Sequence, residues 1–109
     1  YEKIDFVITN FYPFEEIIKQ TKNHKQIIEN IDVGGPTMAR AAAKNYSDVT
    51  VITSPKQYPE FINELKINKG TTSIKFRKKM SQTAFAETAY YDTLISDYLN
   101  NIPNIIFCV

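Results

Sequence analysis

Two segments of this chain carry residue types that could bind and turn over an anionic ligand. In Asp32-Val33-Gly34-Gly35-Pro36-Thr37, paired glycines let the backbone approach a ligand closely, and Pro36 stands where a helix takes its first residue. A helix start leaves unpaired N–H groups with partial positive charge, which suits a phosphate or a developing oxyanion. The same residues also read as a plain loop-to-helix turn with Asp32 as its capping residue. Further along that helix, Thr37, Arg40 or Ala41, and Lys44 fall on one side. The rise from Thr37 to Lys44 is about 10 Å, and long helical side chains lean toward the N-terminus. The Lys44 ammonium could therefore reach back toward a ligand over Asp32, or be a solvated cation favoured by the helix C-terminus. The second segment is Asn10-Phe11-Tyr12-Pro13-Phe14, just past a strand-like run. It places an amide and a phenol at a strand tip, where open α/β sheets bind ligands. It is equally a tight turn whose aromatics plug the core. A carboxylate, a cation and a phenol at one sheet edge would make an acid/base set.

Other groups offer less chemistry. His24 stands alone among polar residues and reads as ordinary surface. Lys75, Arg77, Lys78 and Lys79 lack interleaved exposed aromatics and read as a solvated face. Cys108 is remote from the one histidine, and as a single cysteine it excludes an internal disulfide and suits a reducing compartment. No Cys, His or carboxylate spacing suggests a metal, and no Walker-type phosphate loop is present. Thirteen basic against twelve acidic residues give a net charge of +1, which calls for neither nucleic acid nor an anionic membrane. The longest apolar run is far short of the ~18 residues of a membrane span. The expected location is the cytoplasm.

The elements that must position these groups follow from periodicity. Ile4 to Thr9 is short and rich in branched residues, as a buried strand is, and Tyr12-Pro13 ends it. Phe14 to Lys19 predicts a turn or two of helix, and Ile27, Ile28 and Ile31 give Lys25 to Ile31 an amphipathic stripe. Gly34-Gly35 breaks the pattern before a helix over TMARAAAKN. Val49 to Thr53 is a second strand. A helix from about Lys56 to Leu65 follows, with Tyr58, Phe61, Ile62 and Leu65 on one stripe. After a turn at Lys69-Gly70, Thr72 or Ser73 caps a helical region to about Leu99, as one helix or two, with Ile74, Met80, Phe85, Ala89 and Leu94 inward. Residues 104–109 fit no class. Alternating strands and helices indicate an α/β domain with a parallel sheet. Its 109 residues and 43% hydrophobic content suffice for one modest core. Two strands fall short of the usual sheet of about five, and the chain opens without methionine, so a fragment of a longer chain is expected.

The motifs resemble those of the inosine-monophosphate cyclohydrolase domain of the bifunctional purine-synthesis enzymes. Asn10 to Phe14 resembles the family's N-L-Y-P-F, with Phe11 for leucine. Glu29 to Met38, followed by Arg40 to Asn45, resembles E-N-I-D-I-G-G-P-T-M-x-R-A-A-A-K-N. Ala84-Phe85, Thr88-Ala89 and Tyr91-Asp92 resemble A-F-x-x-T-A-x-Y-D, with Glu87 where histidine is frequent, a departure expected to touch only a peripheral helix contact. The resemblance implies a methylglyoxal-synthase-like fold, a parallel sheet flanked by helices and present here only in part, over residues 1–100, with 101–109 an unassigned tail. It implies closure of the purine ring, in which the carboxamide nitrogen of 5-formamidoimidazole-4-carboxamide ribotide attacks its own formyl carbon and water leaves to give inosine monophosphate. It implies no cofactor and a homodimer in the intact protein. By resemblance Tyr12, Asp32 and Lys44 are catalytic, and Asn10, Val33, Gly34, Gly35, Thr37 and Arg40 contact the ribotide. Asp32 would orient or deprotonate the carboxamide with its backbone near the oxyanion, while Lys44 and Tyr12 would position it and relay protons. The family's upstream phosphate site and R-V-K-T-L-H-P lysine do not occur here, so this chain by itself is expected not to close the ring. The rival reading is a non-catalytic allosteric or nucleotide-binding module on the same fold.

Overall fold

The computed structural model describes residues 3–101. Strand β1 (Phe6–Ile8) leads to helices α1 (Phe14–Gln20), α2 (His24–Glu29) and α3 (Gly34–Lys44). Strand β2 (Thr50–Ile52) then runs through a short 3-10 turn (Pro55–Gln57) into α4 (Tyr58–Ile67) and α5 (Ile74–Asn100). The two strands pair in parallel, Val7 opposite Val51. The chain is therefore α/β, with a small parallel sheet covered by helices, as the alternation predicts. The unclassified run at 104–109, and Cys108 with it, lies outside the described residues.

β2 is the centre of the core. Thr50, Val51 and Ile52 are all buried, as parallel strands covered on both faces are. Its partner differs from expectation. β1 is not a buried strand: Phe6 is 39% and Ile8 53% exposed, because among the described residues β2 is its only neighbour.

Small side chains let α3 lie close to the sheet. Ala39 and Ala43 are fully buried there, and Ser81 of α5 donates to the Ala43 carbonyl at 2.7 Å. Asn23 caps α2 by accepting from the Gln26 N–H, and the side chain of Ser73 caps α5 by accepting from that of Phe76.

α5 is one unbroken helix of 27 residues, about 40 Å long. Its inward stripe is Phe76, Met80, Ser81, Ala84, Thr88 and Tyr91. Of the residues expected inward, Met80 is buried and Leu94 partly so, whereas Ile74, Phe85 and Ala89 face outward. Apolar residues on the outward face and polar ones on the inward face left the phase of so long a helix ambiguous. Ile62 of α4 is likewise half exposed, while its neighbour Phe61 is buried against Phe76.

The α5 helix passes through two hydrophobic clusters. One is built on β2, α3 and α4, with Phe76, Met80 and Ala84. The other joins Phe14 and Ile27 to Tyr91. Phe11 packs against both.

Two side chains fix how α5 starts. Arg77 stands apart from its basic run: its guanidinium donates to the carbonyls of Tyr46, Ser47 and Thr72, tying α5 to the end of α3. Lys79 pairs with Glu60 at the surface. Glu64 of α4 accepts on one oxygen from the Ser73 N–H at 2.8 Å, the Ser73 hydroxyl at 2.6 Å and the Asn68 amide at 3.1 Å. The Lys69-Gly70 turn between the two helices takes positive φ at both residues, as expected of a turn there.

The Ser73 hydrogen bonds hold the Glu64 carboxyl below its ordinary value of 4.5. A lowered folded-state value means that this stabilisation is present above 4.5 and is lost as pH falls through the folded-state value. Glu64→Gln should therefore lower the melting temperature at neutral pH, and the gap to the parent chain should narrow below pH 4.5. Thermal melts across an acid series measure both, and a pH-independent gap would remove the charge from the explanation.

Candidate functional site

Asp32 joins three parts of the chain. Its Oδ1 accepts from the Gly35 N–H at 2.8 Å, and its Oδ2 accepts from the Tyr12 N–H at 3.1 Å. Its own N–H donates to the Tyr91 hydroxyl at 2.9 Å. The first contact is an N-terminal cap on α3, so the capping role open in the sequence is realised. The second ties the Asn10–Phe14 segment to the glycine turn. Each carboxylate oxygen keeps a further lone-pair direction for a ligand proton.

The glycines separate α2 from α3, as the pattern predicts, but they also open the second helix rather than precede it. α3 starts at Gly34, and Pro36 fits its first turn, where a missing N–H costs nothing. With the Gly35 N–H on Asp32 and the Thr37 N–H on the Val33 carbonyl, the Val33 and Gly34 N–H groups make no hydrogen bond among the described residues. They form an adjacent donor pair at the positive end of an 11-residue helix, and Val33 is 73% exposed. The Asp32 N–H, expected near the oxyanion, is already engaged by Tyr91, which leaves Val33 and Gly34 as the open donors.

The other expected groups divide. Asn10 and Tyr12 are exposed, Tyr12 at 57%, and the tyrosine backbone reaches Asp32. Phe14 is buried and Phe11 half-buried, so the aromatics on either side of Tyr12 do plug the core. Thr37 turns its hydroxyl onto the Val33 carbonyl at 2.8 Å. Arg40 sets its guanidinium over the Phe85 ring, 5.5 Å from the centroid.

Lys44 is not brought to Asp32 and Tyr12. It is exposed in the last turn of α3, about 15 Å along the axis from Gly34, and has no ion pair among the described residues. Thr37, Ala41 and Lys44 do share the outward face opposite the buried alanines. No metal-binding group of His, Cys, Asp or Glu occurs among the described residues, and no described helix is long and apolar enough to cross a membrane.

Tyr91 is the contributor that pattern reading passed over. It is 6% exposed, and its ring meets Phe11 and Phe14 edge-on at 5.4 and 6.2 Å. Burial pushes its hydroxyl pKa up, the Asp32 and Asp92 charges add to this, and the hydrogen bond from the Asp32 N–H partly offsets it. The available signal was a tyrosine on the inward stripe of α5, since a buried phenol must find a partner.

Glu87 is more than a peripheral contact. It lies half-buried beside Thr53 at the carboxyl end of β2, and burial pushes its carboxyl above the ordinary 4.5, with the Thr53 hydroxyl and Lys56 ammonium pulling the other way. The buried Thr53 hydroxyl itself finds no partner of hydrogen-bonding geometry.

His24 is exposed, as expected, and stacks on Tyr98 with Nδ1 2.8 Å from its hydroxyl. This pair borders a cavity of about 530 Å³ between α1 and the end of α5. A larger one of about 890 Å³ follows the open edge of β1 beside Met38, Ala41 and Asn45. Neither includes Asp32 or Tyr12, so the donor pair lies on an open shelf.

The two glycines should respond oppositely to a methyl group. A Cβ on Gly35 would stand 2.6 Å from Asp32 Oδ2, and that carboxylate cannot withdraw without losing the Tyr12 and Gly35 N–H groups. Gly34 has nothing within 4 Å of its Cβ direction. In urea unfolding, Gly35→Ala should cost about 1–3 kcal/mol. Gly34→Ala should be neutral or gain up to about 1 kcal/mol. Equal stabilities would mean that the Asp32 carboxylate is not held in the turn.

Comparisons with known proteins agree with the motifs. Residues 42–106 match the sequence model of the AICARFT/IMPCHase bienzyme family. The bifunctional purine biosynthesis protein PurH of Persephonella marina is 50% identical over 99 residues, covering 91% of this chain and 19% of that protein. PurH of Bacillus subtilis is 45% identical over 102 residues, covering 93% of this chain and 20% of that protein. The chain thus spans about a fifth of the length of these relatives. Among solved structures, the crystal structure of ForH superposes with a TM-score of 0.74 at 27% identity, covering 90% of this chain and 51% of that one. With more than half of its length matched by the family's sequence model, this chain belongs to the AICARFT/IMPCHase bienzyme family.

Proposed function

We propose that this chain supplies part of the cyclohydrolase site of a bifunctional purine-synthesis enzyme, on a methylglyoxal-synthase-like fold. In that reaction the carboxamide nitrogen of the formylated ribotide attacks the formyl carbon, its proton is removed, and the formyl oxygen departs as water. The observation that carries the reading is the Asp32 turn: a carboxylate fixed by two N–H groups next to two unengaged N–H groups at a helix start. Charge develops on the formyl oxygen during attack, and donors already in place at that point lower its cost. The Val33 and Gly34 N–H groups serve that role, and Asp32 orients or deprotonates the carboxamide. Gly34 and Gly35 admit the base to the backbone, and Asn10, Thr37 and Arg40 border the same surface.

Tyr12 is exposed next to the turn and positions the carboxamide. Lys44 acts from further along the outward face of α3, its side chain leaning toward the N-terminus over Ala41. No cofactor takes part. The intact enzyme is a cytoplasmic homodimer in this reading, and residues 1–100 belong to its cyclohydrolase domain, with 101–109 unassigned.

Asp32→Ala and Lys44→Ala in the intact enzyme should each slow formation of inosine monophosphate about a hundredfold or more. Tyr12→Phe should slow it less, and Lys78→Ala, on the solvated face of α5, should leave it unchanged. Steady-state assays with the formylated ribotide decide this. Normal turnover in either alanine variant would remove that residue from the mechanism.

A further inference from the structure

We infer that Tyr91 is a positioning residue of this site, setting the Asp32 turn from helix α5; this rests on the cyclohydrolase reading above. Tyr91 belongs to α5, the one element packed into both hydrophobic clusters. Its ring holds Phe11 and Phe14 at 5.4 and 6.2 Å, on either side of the exposed Tyr12. Its hydroxyl accepts the Asp32 N–H at 2.9 Å. One side chain therefore fixes both segments that carry the candidate chemistry.

The position of the turn depends on that hydroxyl for a geometric reason. The Asp32 carboxylate is held by the N–H groups of Tyr12 and Gly35, in the β1–α1 connection and the start of α3. The hydrogen bond through the Asp32 N–H is the restraint on its backbone from α5. Without it the peptide plane before Asp32 is free to rotate, and the Val33 and Gly34 N–H vectors that follow change direction. A small misplacement of donors or base lowers the rate more than it lowers affinity, because the reaction depends on alignment at one atom. The tyrosine touches no ligand in this arrangement; it acts through Asp32.

Tyr91→Phe keeps the buried ring and removes only the acceptor. In the intact enzyme kcat should fall about tenfold or more, with KM changing less than about threefold. Amide hydrogen exchange at Asp32 should rise while that at Gly35 stays slow. Tyr98→Phe, lower on the same helix, with its hydroxyl on His24 alone among the described residues, is the control and should alter neither. A double-mutant cycle with Asp32→Asn separates positioning from general weakening. If the tyrosine acts through Asp32, its loss should have little further effect on kcat once the carboxylate is gone, whereas a purely structural defect would add.

Normal kcat in Tyr91→Phe, unchanged exchange at Asp32, or full additivity beside an impaired Asp32→Asn overturns the inference. If Asp32→Asn alone is silent, Asp32 leaves the mechanism. An impaired Tyr91→Phe with faster Asp32 exchange then still supports positioning, through the Val33 and Gly34 donors. Should Tyr91→Phe melt below the assay temperature, the same measurements on Tyr91→His, which retains a hydrogen-bonding ring, should give partial recovery of kcat over Tyr91→Leu. No recovery counts against it.

Discussion

The Asp32 carboxylate ties the two ends of this architecture together. A short carboxylate side chain with one oxygen on the Gly35 N–H and the other on the Tyr12 N–H forces the β1–α1 connection and the start of α3 into contact. The lack of a side chain on Gly35 is what permits that contact, since its Cβ would fall within 2.6 Å of Asp32 Oδ2. The alanines of the capped helix pack on β2 and α5. The hydrogen bond is worth only about 1 kcal/mol as a cap. Its structural weight comes from where it sits, at the junction of both clusters.

The second constraint is the length of α5. A helix of 27 residues outruns the small sheet, so its first half closes the β2 core and its second half must find other partners. α1 and α2 supply them through Phe14 and Ile27. These helices have seven and six residues, too short to be stable alone, and burial against Tyr91 and its neighbours is what holds them. The start of α5 is secured differently, by polar groups: Glu64 on Ser73, and Arg77 on the carbonyls after α3. Apolar packing at one end and charge-assisted bonds at the other fix the same helix.

How much of this the sequence revealed depended on local markers. Val49 to Thr53 announced β2 by branched residues closed by Ser54-Pro55, and the Lys69-Gly70 turn and the Ser73 cap were readable because turn and capping chemistry is local. The phase of α5 was not. Ile74, Phe85 and Ala89 are apolar yet outward, while Ser81 and Thr88 are polar and buried, with hydroxyls bonded to helix carbonyls. Arg77 was hidden in a basic run because a guanidinium serving distant carbonyls leaves no periodic trace. At the site, the residue types of Tyr12, Asp32 and the glycines pointed to one location, and their backbone contacts share it. The engagement of the Asp32 N–H by Tyr91 was beyond reach of spacing, since the two lie 59 positions apart.

Lys44 shows how a rigid helix limits the chemistry available. Asp32 and Lys44 occupy opposite ends of α3, where the dipole favours a carboxylate and an ammonium respectively, so each is placed by helix physics as well as by any ligand. The buried alanine face keeps α3 from rotating, and Lys44 lies about 15 Å along the axis from Gly34 at its start. A lysine side chain extends about 6 Å, and its lean toward the N-terminus brings the ammonium over the middle of the outward face, near Ala41. A ligand that uses both groups must therefore lie along the first two turns of α3, with its reacting oxygen at the Val33–Gly34 end. There the Thr37 hydroxyl is turned inward onto the Val33 carbonyl and competes with neither donor. Val33 and Gly34 thus keep their unengaged N–H groups at one end of α3, while Lys44 at the other makes no ion pair among the described residues.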